Sequence, residues 1–314
     1  MKLRDVGEFG LIARIARRAA RSSQGSSAVR IGIGDDAAVL RLRSGEELAV
    51  TTDAAVEGVH FRWRTASARR VGRCALLAAV SDLAAMGARP LGFTLALTAP
   101  PSLELSTLER CVEGMLAEAA GLDCPLVGGN VARGPVTTLT LSVLGAVRRG
   151  RALRRDAARP GDRIFVTGVL GAAALDVART ERGRGQTRHI PKARVSSGQA
   201  LARLSGVGAC IDLSDGLLAD LGHVLEASGA GAELDLERLP LARGFARACA
   251  RLRLDPLALA LEGGEDYELL FTLRRGAPGE KALSRRLAAP VREIGRIVRG
   301  RGVRGLALGG FTHF

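Results

Sequence analysis

Ile211-Asp212-Leu213-Ser214-Asp215-Gly216-Leu217-Leu218-Ala219-Asp220-Leu221-Gly222-His223 reads as the end of a strand running into a helix. Ile211 to Leu213 alternates as a strand does, Ser214 and Asp215 are good helix-start residues, and Leu217, Leu218, Leu221, Val224 and Leu225 recur at helical spacing. Asp212 and Asp215 therefore fall at a strand-to-helix junction, where side chains can project into a cleft. A single junction of this kind is explained by capping, with Asp215 accepting backbone N–H bonds at the helix start. The chain repeats the device, and the repetition changes the reading.

Gly34-Asp35-Asp36, Thr51-Thr52-Asp53, Ser81-Asp82 and Gly263-Gly264-Glu265-Asp266 each border an apolar run, so each is expected to bring a carboxylate to a strand end or a helix start. Gathered carboxylates repel one another unless cations neutralise them, and hard oxygen donors suit Mg²⁺. A shared metal site explains the set more economically than scattered caps. Ser81-Asp82 interrupts the hydrophobic face of the apolar helix expected from Val71 to Met86. An acid there is costly unless it is paired or metal-bound.

The chain has 314 residues, 47% of them hydrophobic, which is enough for a substantial core and for two domains. No apolar run reaches membrane-spanning length, and Met1 to Ala20 reads as a basic amphipathic helix rather than a signal peptide. A soluble cytoplasmic protein is the expectation. The cysteines at 74, 111, 124, 210 and 249 are odd in number, widely spaced and without a Cys-x-x-Cys pair, which argues against both a disulfide framework and a zinc site. The formal charge of +14 comes almost entirely from arginine spread over the whole length, and only 3% of residues are aromatic. Stacking platforms for single strands are scarce and no nucleic-acid-binding motif is present, so small anionic substrates are the better partners for this field.

In order, a lead-in over 1–29 precedes strands at Val29 to Ile33 and Glu47 to Asp53, the helix at Val71 to Met86 and a strand at Leu91 to Leu97. A helix at Leu103 to Ala120, a short strand at Pro125 to Val127 running into Gly128-Gly129-Asn130, and a strand at Val136 to Val147 complete a domain over 30–150. Pro160-Gly161-Asp162 and the strand from Arg163 to Thr167 open a second domain over 151–314. There Gly168 to Ala174 leads from strand to helix, an arrangement whose N–H groups can hold a phosphate, although it matches neither the P-loop nor the dinucleotide fingerprint. Arg179 to Arg188 reads as a loop, Ala232 to Leu236 and Tyr267 to Thr272 as strands, and Arg243 to Leu252 as helical.

Gly32-Ile33-Gly34-Asp35-Asp36, Thr52-Asp53 with His60-Phe61, Ser81 to Gly87, Ile211 to Gly216, Gly263 to Glu268 and the closing His313-Phe314, beginning with Gly7-Glu8-Phe9, together resemble the thiamine-monophosphate kinases. These belong to the wider aminoimidazole-ribonucleotide-synthase-like superfamily. The resemblance covers essentially the whole chain and implies an α/β (α+β) fold of two domains, the N-terminal sheet pairing across a homodimer. It implies ATP as co-substrate and Mg²⁺ held by Asp36, Asp53, Asp82, Asp212 and Asp215, with Thr51, Thr52 and Asn130 assisting. Asp36, Asp82 and Asp215 would carry the catalytic role; Gly129, Asn130, Arg155 and Ser214 would contact ATP; His60, Glu265 and Phe311 would contact thiamine monophosphate. The implied reaction moves the γ-phosphoryl group of ATP to thiamine monophosphate, with no membrane and no nucleic acid involved. Its attacking oxygen is already anionic, so positioning and charge neutralisation suffice without a general base.

Two residues depart from the family pattern: Asn130 stands where Asp is usual, and Ala79 where Asn is usual. An Asn carbonyl still ligates Mg²⁺ but with one charge fewer. The departure keeps two alternatives open, another small acceptor within the superfamily or a catalytically silent nucleotide-binding homologue.

Overall fold

The computed structural model describes residues 1–22, 27–183 and 185–306. They divide into two compact units, one made of 1–83, 89–149 and 185–190, the other of 84–88, 150–184 and 191–314.

The first unit contains α1 (Gly7–Ser22), β1 (Val29–Ile31), β2 (Val39–Leu40), β3 (Glu46–Val56), α2 (Ala68–Ala85), β4 (Arg89–Ala99), α3 (Leu105–Gly121), β5 (Leu126–Arg133) and β6 (Thr138–Arg148). A four-stranded sheet has the order β3-β6-β4-β5, with only β4 and β5 parallel. A parallel neighbour requires a long crossover, which α3 supplies. Strand alternation sets the core: Leu91, Phe93, Leu95 and Leu97 on β4 and Leu139, Leu141 and Val143 on β6 are all buried. Helices α2 and α3 meet backbone to backbone, since a Cβ on Gly72 would lie 1.8 Å from the Cys111 carbonyl oxygen and one on Gly114 would lie 2.1 Å from that of Arg69. Ion pairs from Arg14 to Glu109 and from Arg18 to Glu109 and Glu113 tie α1 to α3.

The other face of this sheet has a different character. Leu48 and Val50 of the edge strand β3 are 50% and 60% exposed, and the register continues the face through Leu144, Ser142 and Thr140 of β6 to Ala96 and Thr94 of β4. These residues are small, hydroxylated or aliphatic, and none is charged.

The second unit contains β7 (Arg163–Thr167), α4 (Ala172–Glu181), α5 (Val195–Ala202), β8 (Val207–Asp212), α6 (Leu217–Ser228), β9 (Gly231–Leu234), α7 (Phe245–Arg251), α8 (Pro256–Glu262), β10 (Leu269–Leu273), α9 (Glu280–Leu287), β11 (Val291–Val298) and β12 (Gly302–Val303). Its six strands run in the order β12-β9-β11-β7-β10-β8, antiparallel except for β12 beside β9. One core cluster joins Ile164, Val166, Ile211 and Leu270 of the sheet to Leu217, Leu221, Val224 and Leu225 of α6 and to Ala260 and Leu261 of α8. Phe165 and Phe271 alternate to the other side of their strands and stack with centroids 5.5 Å apart.

Several expectations need correction. Asp53 lies inside β3 rather than at its end, and Gly129-Asn130 continues β5 instead of following it, whereas Asp82 lies inside α2 as the helix expected from Val71 to Met86 requires. The extended ladders beside β6 and β4 carry those polar residues through the strand. Arg179 to Glu181 form the last turn of α4, not a loop, and β10 begins at Leu269, two residues later than Tyr267, whose φ of 49° is incompatible with a strand. Gly72→Ala should cost about 1–3 kcal/mol through overpacking against α3, measured as a lower denaturation midpoint; an unchanged midpoint would show that the helices separate freely.

Candidate functional site

In the first unit the period of two along β3 places Thr51 and Asp53 on one face and Thr52 on the other. Thr51 Oγ1 donates to Asp82 Oδ2 at 2.5 Å, so the acid that interrupts α2 meets the strand that carries Asp53. Asp53 Oδ1 accepts the Ala54 N–H at 2.7 Å. The hydroxyl of Thr52 instead pairs with Ser142 Oγ at 2.9 Å across the register, so the structure does not bring it to Asp82. Asp35 and Asp36 sit exposed between β1 and β2, Asp35 Oδ1 accepting the Asp36 N–H at 2.9 Å. His60 Nδ1 accepts the Val56 N–H at 3.1 Å, which fixes the neutral ring with its proton on Nε2. Gly129 and Asn130 lie exposed on β5 beside Leu95 and Ala96, while Ala79 is buried in α2.

In the second unit Asp212 ends β8 and is buried, and Ser214 and Asp215 are half-buried. Asp215 does not cap the helix: the N-cap is Gly216 at φ 114°, with no side-chain cap bond. The Asp215 N–H instead donates to Asp220 Oδ2 at 3.1 Å. Ligand atoms of Asp215, Asp220 and His223 all lie within 4.8 Å of one another. Asp220 and His223 carry no assigned role in the sequence reading, although the signal was available. An acid among Leu217, Leu218 and Leu221 on a buried helix face is as costly as Asp82, and His223 follows one turn later. Burial pushes the Asp220 carboxyl up to about 7; the Asp215 N–H opposes this, and the charges of Asp215 and Asp212 add to it.

The Gly168–Ala174 junction holds an anion, but one of the protein's own. Asp266 Oδ2 accepts the Gly171 N–H at 2.7 Å and Oδ1 the Ala173 N–H at 3.5 Å, so the start of α4 is filled by a carboxylate rather than left for a phosphate. Asp266 is buried and its carboxyl is also pushed up to about 7, by burial first and despite those N–H bonds. Glu265, half-buried, has φ 65° and donates its N–H to the Ser214 carbonyl at 2.8 Å. The Arg155 side chain is exposed and its carbonyl accepts from Ser228 Oγ at 3.0 Å. Phe311 and the terminal His313-Phe314 lie outside the described residues. All five cysteines are free thiols, and burial pushes Cys111 and Cys124 up to about 12, so these two are not available as nucleophiles.

Among the described residues, then, each unit gathers hard oxygen donors: Thr51 with Asp82 on one, and Asp212, Asp215 and Asp220 on the other. Such donors fit Mg²⁺. The model of the N-terminal domain of AIR synthase related proteins matches residues 34–147, and that of the C-terminal domain matches 159–306. The thiamine-monophosphate kinase of Salmonella typhimurium LT2 is 42% identical over 287 residues, 86% of this chain and 85% of its own. The crystal structure of the thiamine-monophosphate kinase from Stenotrophomonas maltophilia K279a superposes with a TM-score of 0.83 at 37% identity, covering 92% of this chain and 95% of that one. AaThiL complexed with AMPPCP and TMP superposes with a TM-score of 0.77 at 31% identity, covering 100% and 99%. This chain belongs to the AIR synthase related family and, within it, to the thiamine-monophosphate kinases.

Because the ordinary value of an aspartate is 3.8, folded Asp220 keeps a proton that the unfolded chain has released between about pH 4 and 7. Its contribution to stability is therefore greatest below that window and is lost as pH rises through it. In Mg²⁺-free buffer Asp220→Asn should flatten the decline of Tm across the window. A variant with the wild-type slope would show that Asp220 ionises normally.

Proposed function

We propose that this chain transfers the γ-phosphoryl group of ATP to thiamine monophosphate, giving thiamine diphosphate. The observation that carries the reading is the whole-length match to thiamine-monophosphate kinases, one of them in complex with AMPPCP and TMP. The site chemistry agrees with it. In the first unit Asp36, Asp53, Asp82 and Asn130 with Thr51 would ligate Mg²⁺, and in the second Asp212 and Asp215 would do so. Bound there, Mg²⁺ would neutralise phosphate charge and fix the two polyanions for in-line transfer.

The chain's own groups do the rest. Asp220, through its bond to the Asp215 N–H, fixes the backbone from which Asp215 projects. His60, its Nδ1 engaged by the Val56 N–H, contacts the acceptor. Arg155, Gly129 and Ser214 contact ATP, and Glu265 and Phe311 the thiamine moiety. No side chain is needed as a base, because the attacking phosphate oxygen is anionic at neutral pH. Asn130 lowers the charge at one metal position without removing the ligand.

The sheet face bearing the exposed Leu48 and Val50 is the surface through which two copies pair. The cytoplasm, which supplies ATP and keeps thiols reduced, suits a chain whose cysteines are all free.

Purified protein given thiamine monophosphate, ATP and Mg²⁺ should form thiamine diphosphate, and chelation should abolish it. Asp215→Asn should lower kcat at least ~100-fold, the scale of removing one pre-organised electrostatic contact. Mg²⁺-dependent ATP binding without product would assign the chain to another acceptor. Separately, a Leu48→Glu and Val50→Glu double substitution should convert the dimer to monomer by light scattering, and a monomeric wild type would exclude pairing through this face.

A further inference from the structure

The segment Gly263-Gly264-Glu265-Asp266-Tyr267-Glu268 is held in a conformation that its residues would not choose. Glu265 and Tyr267 both have positive φ, 65° and 49°, in the region that costs any side-chain-bearing residue strain. Such a conformation persists only where its surroundings over-determine it.

The surroundings here do so in two ways. On the backbone, Glu265 N–H donates to Ser214 O and Tyr267 N–H to Leu213 O, while Leu213 N–H returns a bond to Glu268 O, each at 2.8 Å. A Cβ on Gly264 would lie 2.5 Å from Ser214 O, so the two segments touch backbone to backbone. Through the side chains, the alternate residues turn inward. Asp266 is bound at the start of α4 by Gly171 and Ala173. Glu268 accepts two parallel bonds from Arg194, Nε to Oε2 and Nη2 to Oε1, each at 2.6 Å, and a third from Thr167 Oγ1 at 2.6 Å. Thr167 Oγ1 in turn accepts the Leu269 N–H at 2.9 Å, which fixes the first residue of β10. The Arg194 and Glu268 side chains are 12% and 8% exposed, so the pair is nearly dry and its fork geometry is specific to arginine. Gly168 leaves the space that Glu268 fills, since a Cβ there would stand 1.9 Å from Oε1.

We infer that Arg194 and Glu268, with Asp266, are positioning residues: they clamp the strained segment so that Glu265 and the Ser214-Asp215 backbone are held together in one geometry. Of these adjacent acids, Asp266 anchors the segment through its side chain and Glu265 is held through its backbone N–H. The inference rests on the kinase reading for its catalytic consequence, but the clamp itself is independent of it.

Two substitutions test it, the isosteric Glu268→Gln and Arg194→Lys, which keeps the charge and loses the fork. Amide exchange at Glu265 and Tyr267 should accelerate at least tenfold in both variants while Val166 and Phe271, in the adjoining strands, stay as in the wild type. In steady-state assays KM for thiamine monophosphate should rise at least tenfold, with KM for ATP changing less, and the double variant should be no worse than Glu268→Gln alone because both remove one device. Exchange unchanged at Glu265 and Tyr267, or accelerated equally in the strands, overturns the clamp. Local acceleration with both KM values unchanged overturns its role in catalysis. A wild type that makes no thiamine diphosphate removes the kinase reading, and the exchange measurement then still decides the clamp.

Discussion

Burying a carboxylate is unfavourable unless its charge is neutralised or its oxygens are hydrogen-bonded, and the second unit buries Asp162, Asp212, Asp220, Asp266 and Glu268. The solutions differ in kind. Asp162 takes the guanidinium of Arg274 at 2.5 Å and the Arg159 N–H at 2.9 Å. Glu268 takes the fork of Arg194 and the hydroxyl of Thr167, Asp266 takes two N–H groups at a helix start, and Asp220 takes the Asp215 N–H. For Asp162, Asp266 and Glu268 the partners Arg274, Gly171, Arg194 and Thr167 come from distant parts of the chain, so satisfying those acids fixes one element against another, whereas Asp220 is satisfied from within its own junction. Much of the geometry around β8, β10 and their loops follows from that requirement.

The distribution of charge divides along the same line. Arg194 and Arg274 are committed to buried acids, whereas Arg155, Arg159, Arg299 and Arg301 stand exposed. The surface field attracts anions, and the interior acids supply oxygen donors. For a reaction between two phosphorylated molecules the combination is suited: the field favours encounter, and the carboxylates would hold the cations that allow two polyanions to approach. Asp220 and Asp266 are both pushed up to about 7 by burial; each has a carboxylate neighbour that adds to the effect, Asp215 and Asp212 for Asp220 and Glu268 for Asp266, and each is opposed by backbone N–H bonds.

The first unit applies the principle more sparingly. Asp82 is reconciled with an apolar helix by the hydroxyl of Thr51, and the alternation of β3 sends Thr52 to the opposite side of the sheet. Consecutive threonines thereby acquire different surroundings from a single geometric rule. The same rule collects aliphatic and hydroxylated residues on the face of Leu48 and Val50, with Glu46 and Arg148 at its end.

Much was legible in the chain itself. Alternation and helical spacing located the helices at α2, α3 and α6 and the strands at β4, β6, β7 and β8 within a few residues, because those patterns are local. The motifs resembling a known family identified the class of protein, and the acids at 53, 82, 212 and 215 were recognisable from their residue type and apolar context. Hidden in the sequence were the length of β5, set by its pairing with β4, and the anchoring of the Asp266 side chain at the start of α4. Asp220 bonds the Asp215 N–H only five residues away, but capping by Asp215 is an equally local arrangement, and the two are told apart only once Gly216 is seen to take the N-cap position. Glu268 and Arg194 are 74 residues apart, Asp266 and Gly171 95, and Thr167 and Glu268 101. Which distant partner neutralises a buried charge is decided by tertiary packing, since sequence spacing constrains only neighbours within a turn or a strand pair.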